Sequence, residues 1–182
     1  MNLVPALLVA GSAMICMTAA NAAKTPAPLP DAGEAPIQAL KDTITQRHPV
    51  DYFILATRLF QMGEKDEAIF WFYAGQLRFR ARLACHPELP QSGEPALYTA
   101  MAATTGQVMN EYIGGYPSRW IATIRRAIAW DEANPNGVDP KEGCAAAIAQ
   151  QHEGARQLID WIEQNRQQIR EQRAANGLPN FE

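Results

Sequence analysis

The feature that most constrains this fold is a run of five large side chains at residues 69–73, IFWFY, inside a segment with helical spacing. Neighbouring residues on a helix point about 100° apart, so these five side chains cannot all lie on one face. A helix that is apolar on several sides must be covered by neighbours on several sides. We therefore expect the helix over residues 64–84 to be the central element of the domain.

Other segments with helical periodicity complete an all-α fold. A short helix is predicted over 37–46, followed by longer helices over 49–62, 94–113, 117–130 and 139–174. Short connections favour antiparallel neighbours, so the expected architecture is an antiparallel bundle or stack of about five to six helices. In the helix over 94–113 the expected buried face is the set Leu97, Met101, Val108, Met109 and Tyr112. For the helix that starts at 139, the order Asp139, Pro140, Glu142 predicts an Asp cap with an acid three residues later.

The N-terminal residues predict export. An uncharged apolar run over 3–20 leads into Ala20-Asn21-Ala22, whose small first and third residues suit signal peptidase. We expect a signal peptide over 1–22, cleavage after Ala22, a periplasmic location and no membrane insertion of the mature chain. A retained membrane anchor is the alternative, because the run approaches the length that spans a bilayer.

The remaining boundaries follow from composition. The segment 24–36 carries four prolines and few large apolar side chains, so residues 23–36 are predicted to be a flexible linker. A single helical domain is expected over 37–175, and residues 176–182 read as a helix stop followed by a tail.

Cleavage of the signal peptide would leave two cysteines, Cys85 and Cys144, in an oxidising compartment. One ends the central helix and the other begins the last helix, and the alternating topology places both at the same end of the bundle. We therefore predict a disulfide that contributes about 4 kcal/mol in the chain-entropy model. The alternatives are two separate buried thiols, or a metal site with His86 and His152. The metal site is disfavoured because eight helical residues separate Cys144 from His152 by about 12 Å of rise.

Composition and motifs point away from catalysis and nucleic acid. The net charge is −3 and 19 % of residues are charged, which does not favour a nucleic-acid partner. The sequence has no serine elbow, phosphate-binding glycine loop or paired zinc-ligand spacing, so we expect no enzyme activity, no metal and no cofactor. Glu67 and Glu111 are the acid–base candidates, but a helix-dipole role explains Glu67 and no second acid accompanies Glu111.

Residues 49–80 resemble one tetratricopeptide repeat. The matching positions are Tyr52, Leu55, Ala56, Leu59, Gly63, Ala68 and Phe72. The resemblance implies two antiparallel helices that cross closely, and in that family stacked repeats form a peptide-binding groove. Gly75 and Arg80 stand where the family usually has Ala and Pro. In size, export and architecture the chain is also similar, more loosely, to exported bacterial immunity proteins that neutralise toxins.

The predicted function is that of an exported, non-catalytic binding protein with a protein partner, most specifically an immunity-type inhibitor of a toxin. The alternatives are an envelope scaffold that holds a peptide and a small cell-wall enzyme. Two loops, 85–94 and 131–139, are expected at the disulfide end, and the second carries three acids and no base. The candidate interface residues are Asp131, Glu132 and Asp139 of this loop, with Arg78, Arg80, Arg82, Trp71 and Tyr73 of the central helix.

Overall fold

A computed structural model describes residue 29 and residues 31–182; the predicted signal peptide lies outside the described residues. Within this part of the chain the structure is all-helical, which confirms the predicted fold class. None of its helices is both long and apolar enough to cross a membrane. The helices are α1 (Ile37–Thr43, followed by a 3-10 turn at Ile44–Gln46), α2 (Pro49–Gln61), α3 (Lys65–Cys85), α4 (Glu94–Ile113), α5 (Pro117–Ala133), α6 (Lys141–Gln164) and α7 (Arg166–Ala175).

Helix α3 is the centre of the molecule, as its aromatic run predicts. It packs against α2, α4, α5 and α6. Each side chain at 69–73 is at most 7 % exposed, although these side chains leave the helix in different directions. Burial of one large apolar side chain contributes about 1.5–3 kcal/mol, so this run accounts for much of the driving force for assembly around α3.

The α2–α3 hairpin depends on two glycines. Gly63 has a φ of 88°, a left-handed conformation that ends α2 and turns the chain into α3. Gly75 lies where the two helices approach closely, because a Cβ built there would be 2.6 Å from the Cβ of Tyr52. The alanine that tetratricopeptide repeats usually place at this position would therefore not fit without a shift of α2.

The last predicted helix is in fact two helices, and its predicted cap is wrong. Asn165 separates α6 from α7 with φ −113° and ψ 21°, and its side-chain amide donates to the carbonyl of Trp161 at 2.7 Å. Such local side-chain bonds compete with the helical ladder. At the start of α6 the residue before the helix is Pro140, while the Asp139 carboxylate binds Arg82 of α3 and His86, the residue that follows α3.

The buried face of α4 differs in part from the prediction. Met109 is buried as expected, but Leu97 and Val108 are 41 % and 47 % exposed. The buried line runs through Gly106, Met109 and Ile113. Gly106 takes part because it faces the Phe72 ring on α3, where a Cβ would lie 3.3 Å from Cζ. One face of α4 therefore packs on α3, and the opposite face of α4 lies in solvent.

The described end of the predicted linker packs on the domain. Ala32 and Ala35 are buried, and the Arg58 guanidinium donates to their carbonyl oxygens at 2.7 and 2.6 Å. Composition could not indicate this, because the arginine binds backbone carbonyls that any residue carries.

The C-terminal tail also lies on the folded body. The Phe181 ring stacks on Tyr116 with centroids 4.5 Å apart, and its amide donates to the carbonyl of Gly115 at 3.0 Å. The Glu182 carboxylate accepts from the backbone amide of Ser118 in the first turn of α5. Residues 176–182 therefore close over the α4–α5 turn.

Candidate functional site

The predicted disulfide is present and defines one end of the bundle. It joins Cys85, the last residue of α3, to Cys144 in the first turns of α6, with Cα atoms 5.5 Å apart. We call this the disulfide end, where α3 and α5 finish and α4 and α6 begin. His86 lies close to both sulfurs, but the covalent bond occupies the two thiolates that a metal would need. His152, the fourth metal candidate, binds Asp131 instead.

About two helical turns before Cys85, Arg78 forms a buried ion pair with Asp131. Its Nε donates to Oδ1 at 2.8 Å and its Nη1 to the Tyr52 hydroxyl at 2.6 Å. His152 Nε2 lies 2.8 Å from the second carboxylate oxygen. Burial raises the pKa of Asp131, but the hydrogen bond from His152 and the positive charge of Arg78 outweigh it, so the pKa falls below its usual range.

One turn further along α3, Arg82 binds two more carboxylates. It donates to both oxygens of Glu94, at 2.6 and 2.9 Å, and to Asp139 at 2.7 Å. His86 lies 2.8 Å from Asp139, and His48 lies 3.2 Å from Glu94. The hydrogen bond from Arg82, aided by the one from His48, lowers the pKa of Glu94 to about 2.

The predicted loop 131–139 is therefore not a free acidic surface, and its first three residues belong to α5, which ends at Ala133. Asp131 and Asp139 are only 4 % and 3 % exposed. Glu132 is exposed, and it pairs with Arg156 of α6 at 3.0 Å. The prediction failed because the bases that bind these carboxylates lie on other helices, Arg78 and Arg82 on α3 and His152 and Arg156 on α6.

The candidates on α3 separate into buried and accessible groups. Trp71 and Tyr73 are buried, and the Tyr73 hydroxyl bonds to Asn110 at 2.9 Å and to the indole of Trp120 at 2.5 Å. Arg80 is exposed on a different side of α3 from Arg78 and Arg82. Arg80 and Glu132 are thus the clearly exposed members of the predicted interface.

An exposed tryptophan that the sequence analysis missed lies at the opposite end of the bundle. We call this the far end, where α4 finishes, α5 begins and α6 meets α7. Trp161 is 47 % exposed. It borders a hollow of about 240 Å³ whose wall includes Trp120, Ile169 and Arg173. The available signal was a large aromatic residue on the otherwise charged face of the amphipathic helix.

The candidate acid–base groups are held by structural partners. Glu67 pairs with Lys41 at 2.6 Å, and Glu111 accepts from Gln107 one turn away. His152 contacts the carboxylates of Asp131 and Glu132. Among the described residues no hydroxyl or thiol hydrogen-bonds to this imidazole, which nucleophilic catalysis of the serine or cysteine type would need.

Comparison with known proteins adds no support to the resemblance to a tetratricopeptide repeat or to immunity proteins. No protein-family model, curated protein or solved structure matches the chain.

Proposed function

We propose that this is an exported, non-catalytic binding protein of the immunity type, which neutralises a bacterial toxin by covering part of its surface. The observation that carries the proposal is Trp161, half exposed at the rim of the far-end hollow. Tryptophan is among the residue types that dominate binding energy at protein interfaces, above all where it borders an apolar pocket. Trp161 does not stand alone, because Trp120 and Ile169 add apolar side chains to the same hollow.

The disulfide end supports the same proposal through rigidity. The disulfide, the Arg78–Asp131 pair and the contacts of Arg82 join α3, α4, α5 and α6 at one end. A partner then meets helices whose relative positions are already set, so less conformational entropy is lost on binding. The disulfide also suits an oxidising compartment outside the cytoplasm.

The envelope scaffold remains the rival proposal, and the geometry favours it less. A tetratricopeptide groove would use the faces of the α2–α3 hairpin, but α4, α5 and α6 cover most of α3. A peptide would have to bind elsewhere. The cell-wall enzyme is third, because Glu67 and Glu111 are engaged by Lys41 and Gln107.

The test is co-purification with the product of a neighbouring toxin-like reading frame, followed by titration of the purified pair. We expect Trp161→Ala to weaken binding by about 30-fold or more, the loss typical of an interface hot spot. The matched control is Met62→Ala, since Met62 is 64 % exposed and belongs to the α2–α3 turn, outside the hollow.

Met62→Ala should leave the affinity unchanged. Equal affinities of the Trp161→Ala and Met62→Ala variants would show that the interface lies outside the hollow. If such a toxin-like product does not bind the parent protein, the immunity proposal is wrong.

A further inference from the structure

A second cavity, distinct from the far-end hollow, lies between α3, α5 and α6. We call it the Arg80 cleft; its volume is about 260 Å³. Leu77 of α3, Ile124 of α5 and Leu158 of α6 supply apolar wall, while Gln76 and Gln151 supply amide groups. A cleft with apolar walls and a few polar groups is the usual form of a small-ligand site.

The charge of Arg80 distinguishes this cleft. Arg78 and Arg82, two residues away on either side, both pair with carboxylates. Arg80 makes no ion pair with any described residue, and its Nε donates to the Tyr98 hydroxyl at 2.5 Å. This bond orients the guanidinium and leaves its two terminal nitrogens, each an N–H donor, for another group.

The rest of the wall reinforces this positive charge. None of the described residues that line the cleft is acidic. The structure also pairs neither the Gln76 nor the Gln151 side-chain amide with another described residue. The wall thus offers a cation, two amides and aliphatic side chains on one concave surface.

We propose that the Arg80 cleft binds an organic carboxylate with an apolar body. The planar guanidinium matches a carboxylate through parallel N–H donors, and the aliphatic wall covers the ligand's carbon chain. The carboxylate can belong to a free small acid or to an acidic side chain of a bound protein, because both present the same head group and stem. The site is independent of the far-end hollow, so it can be tested without a partner protein.

The probe is hexanoate, added to the purified ¹⁵N-labelled protein while the Arg80 Nε–H and glutamine amide signals are followed by NMR. We expect saturable shifts with a Kd in the millimolar range, near the affinity of a small ligand with one ion pair. Hexanol, which has the same carbon chain without the charge, should bind at least about tenfold more weakly.

Two variants test the charge and the free volume of the cleft separately. Arg80→Gln removes the cation and should weaken hexanoate binding at least about tenfold. Gly154→Leu fills the cleft from α6; it should fold normally, because a Cβ at Gly154 meets nothing within 4 Å, and it should abolish the shifts. The matched control is Arg125→Gln, since Arg125 is an exposed α5 arginine that does not line the cleft.

The proposal is overturned if hexanoate and hexanol shift the signals equally, if Arg125→Gln weakens binding as much as Arg80→Gln, or if folded Gly154→Leu still binds. A competition arm separates the two sources of carboxylate. Displacement of hexanoate by the blocked peptide Leu-Glu-Leu, but not by Leu-Gln-Leu, supports a protein side chain. Hexanoate binding that neither peptide displaces supports a free acid.

Discussion

The two ends of the bundle differ in the groups that bind their buried charged side chains. At the disulfide end, the carboxylates of Glu94, Asp131 and Asp139 each bind one arginine and one histidine. At the far end, buried Arg173 donates instead to the backbone carbonyls of Glu111 and Pro179, both at 2.7 Å. Side-chain charge pairs thus join helices at one end, while backbone carbonyls serve at the other.

This difference suggests that one end of the bundle provides structural rigidity and the other an accessible surface. Removal of one member of a buried ion pair leaves an uncompensated charge, so the disulfide end tolerates little change. At the far end, Trp161 is half exposed and the neighbouring hollow is open. In the proposed function, the rigid ion-pair network and the contact surface therefore lie at opposite ends of the same helices.

The most destructive change should be Asp131→Ala. It leaves Arg78, which is 2 % exposed, without its carboxylate. We expect a loss of about 3–5 kcal/mol in the free energy of unfolding, measured by urea denaturation at pH 7. The control Asp160→Ala removes an exposed aspartate of α6 and should change stability by no more than about 0.5 kcal/mol. A loss below about 1 kcal/mol for Asp131→Ala would mean that Tyr52 and the loop carbonyls suffice to hold Arg78.

The second largest effect at this end should come from the disulfide. Replacing both Cys85 and Cys144 with Ala should lower the free energy of unfolding by about 2–4 kcal/mol, because the open unfolded chain gains entropy. Dithiothreitol should lower the Tm of the parent protein and leave that of the double variant unchanged. Two free thiols in the freshly isolated protein, seen by mass spectrometry, would contradict the bond.

Acid should weaken the disulfide end through Glu94. The pKa of its carboxyl is about 2 in the fold and about 4.5 in the unfolded chain. The stabilisation is therefore complete above pH 4.5 and is lost as the pH falls toward 2. The pair is partly exposed, so we expect about 1 kcal/mol. In Glu94→Gln the stability should depend less on pH over this range; identical pH profiles would exclude Glu94 as a source of the acid sensitivity.

The smallest effect on stability should be that of Trp161→Ala at the far end. Since the indole is already half in water, we expect a loss of at most about 1 kcal/mol by thermal unfolding. Phe72→Ala, at a fully buried aromatic of α3, should cost about 3–5 kcal/mol. Comparable losses for the two variants would show that Trp161 is a structural residue and would remove the main support for a contact surface there.

Local patterns predicted the helices and the disulfide well. The aromatic run at 69–73 placed α3 at the centre, and Gly63 marked the turn of the hairpin. Cys85 and Cys144 could be paired because alternating helices bring both to one end. Each of these predictions uses only helical periodicity and the order of short connections.

Local patterns failed where a side chain has a distant partner. The loop DEANPNGVD reads as acidic because the bases that neutralise Asp131 and Asp139, Arg78 and Arg82, lie on α3. Likewise, the sequence predicts all three arginines of α3 as candidate interface residues, and only the fold shows that Arg78 and Arg82 bind carboxylates while Arg80 pairs with none among the described residues. The predicted buried face of α4 was wrong at Leu97 and Val108. Helical periodicity shows which side of a helix is apolar, but it does not show how much of that side the neighbouring helices cover.

By itself, the sequence determined the all-helical fold, the central position of α3 and the pairing of the cysteines. These features depend on backbone periodicity and chain order, which are local properties. Tertiary structure alone decided which charges are neutralised, that Gly75 must have no Cβ beside Tyr52, and that Trp161 lies exposed next to a hollow. Neutralisation, close approach and exposure depend on distances between helices, and those distances exist only once the helices have packed together.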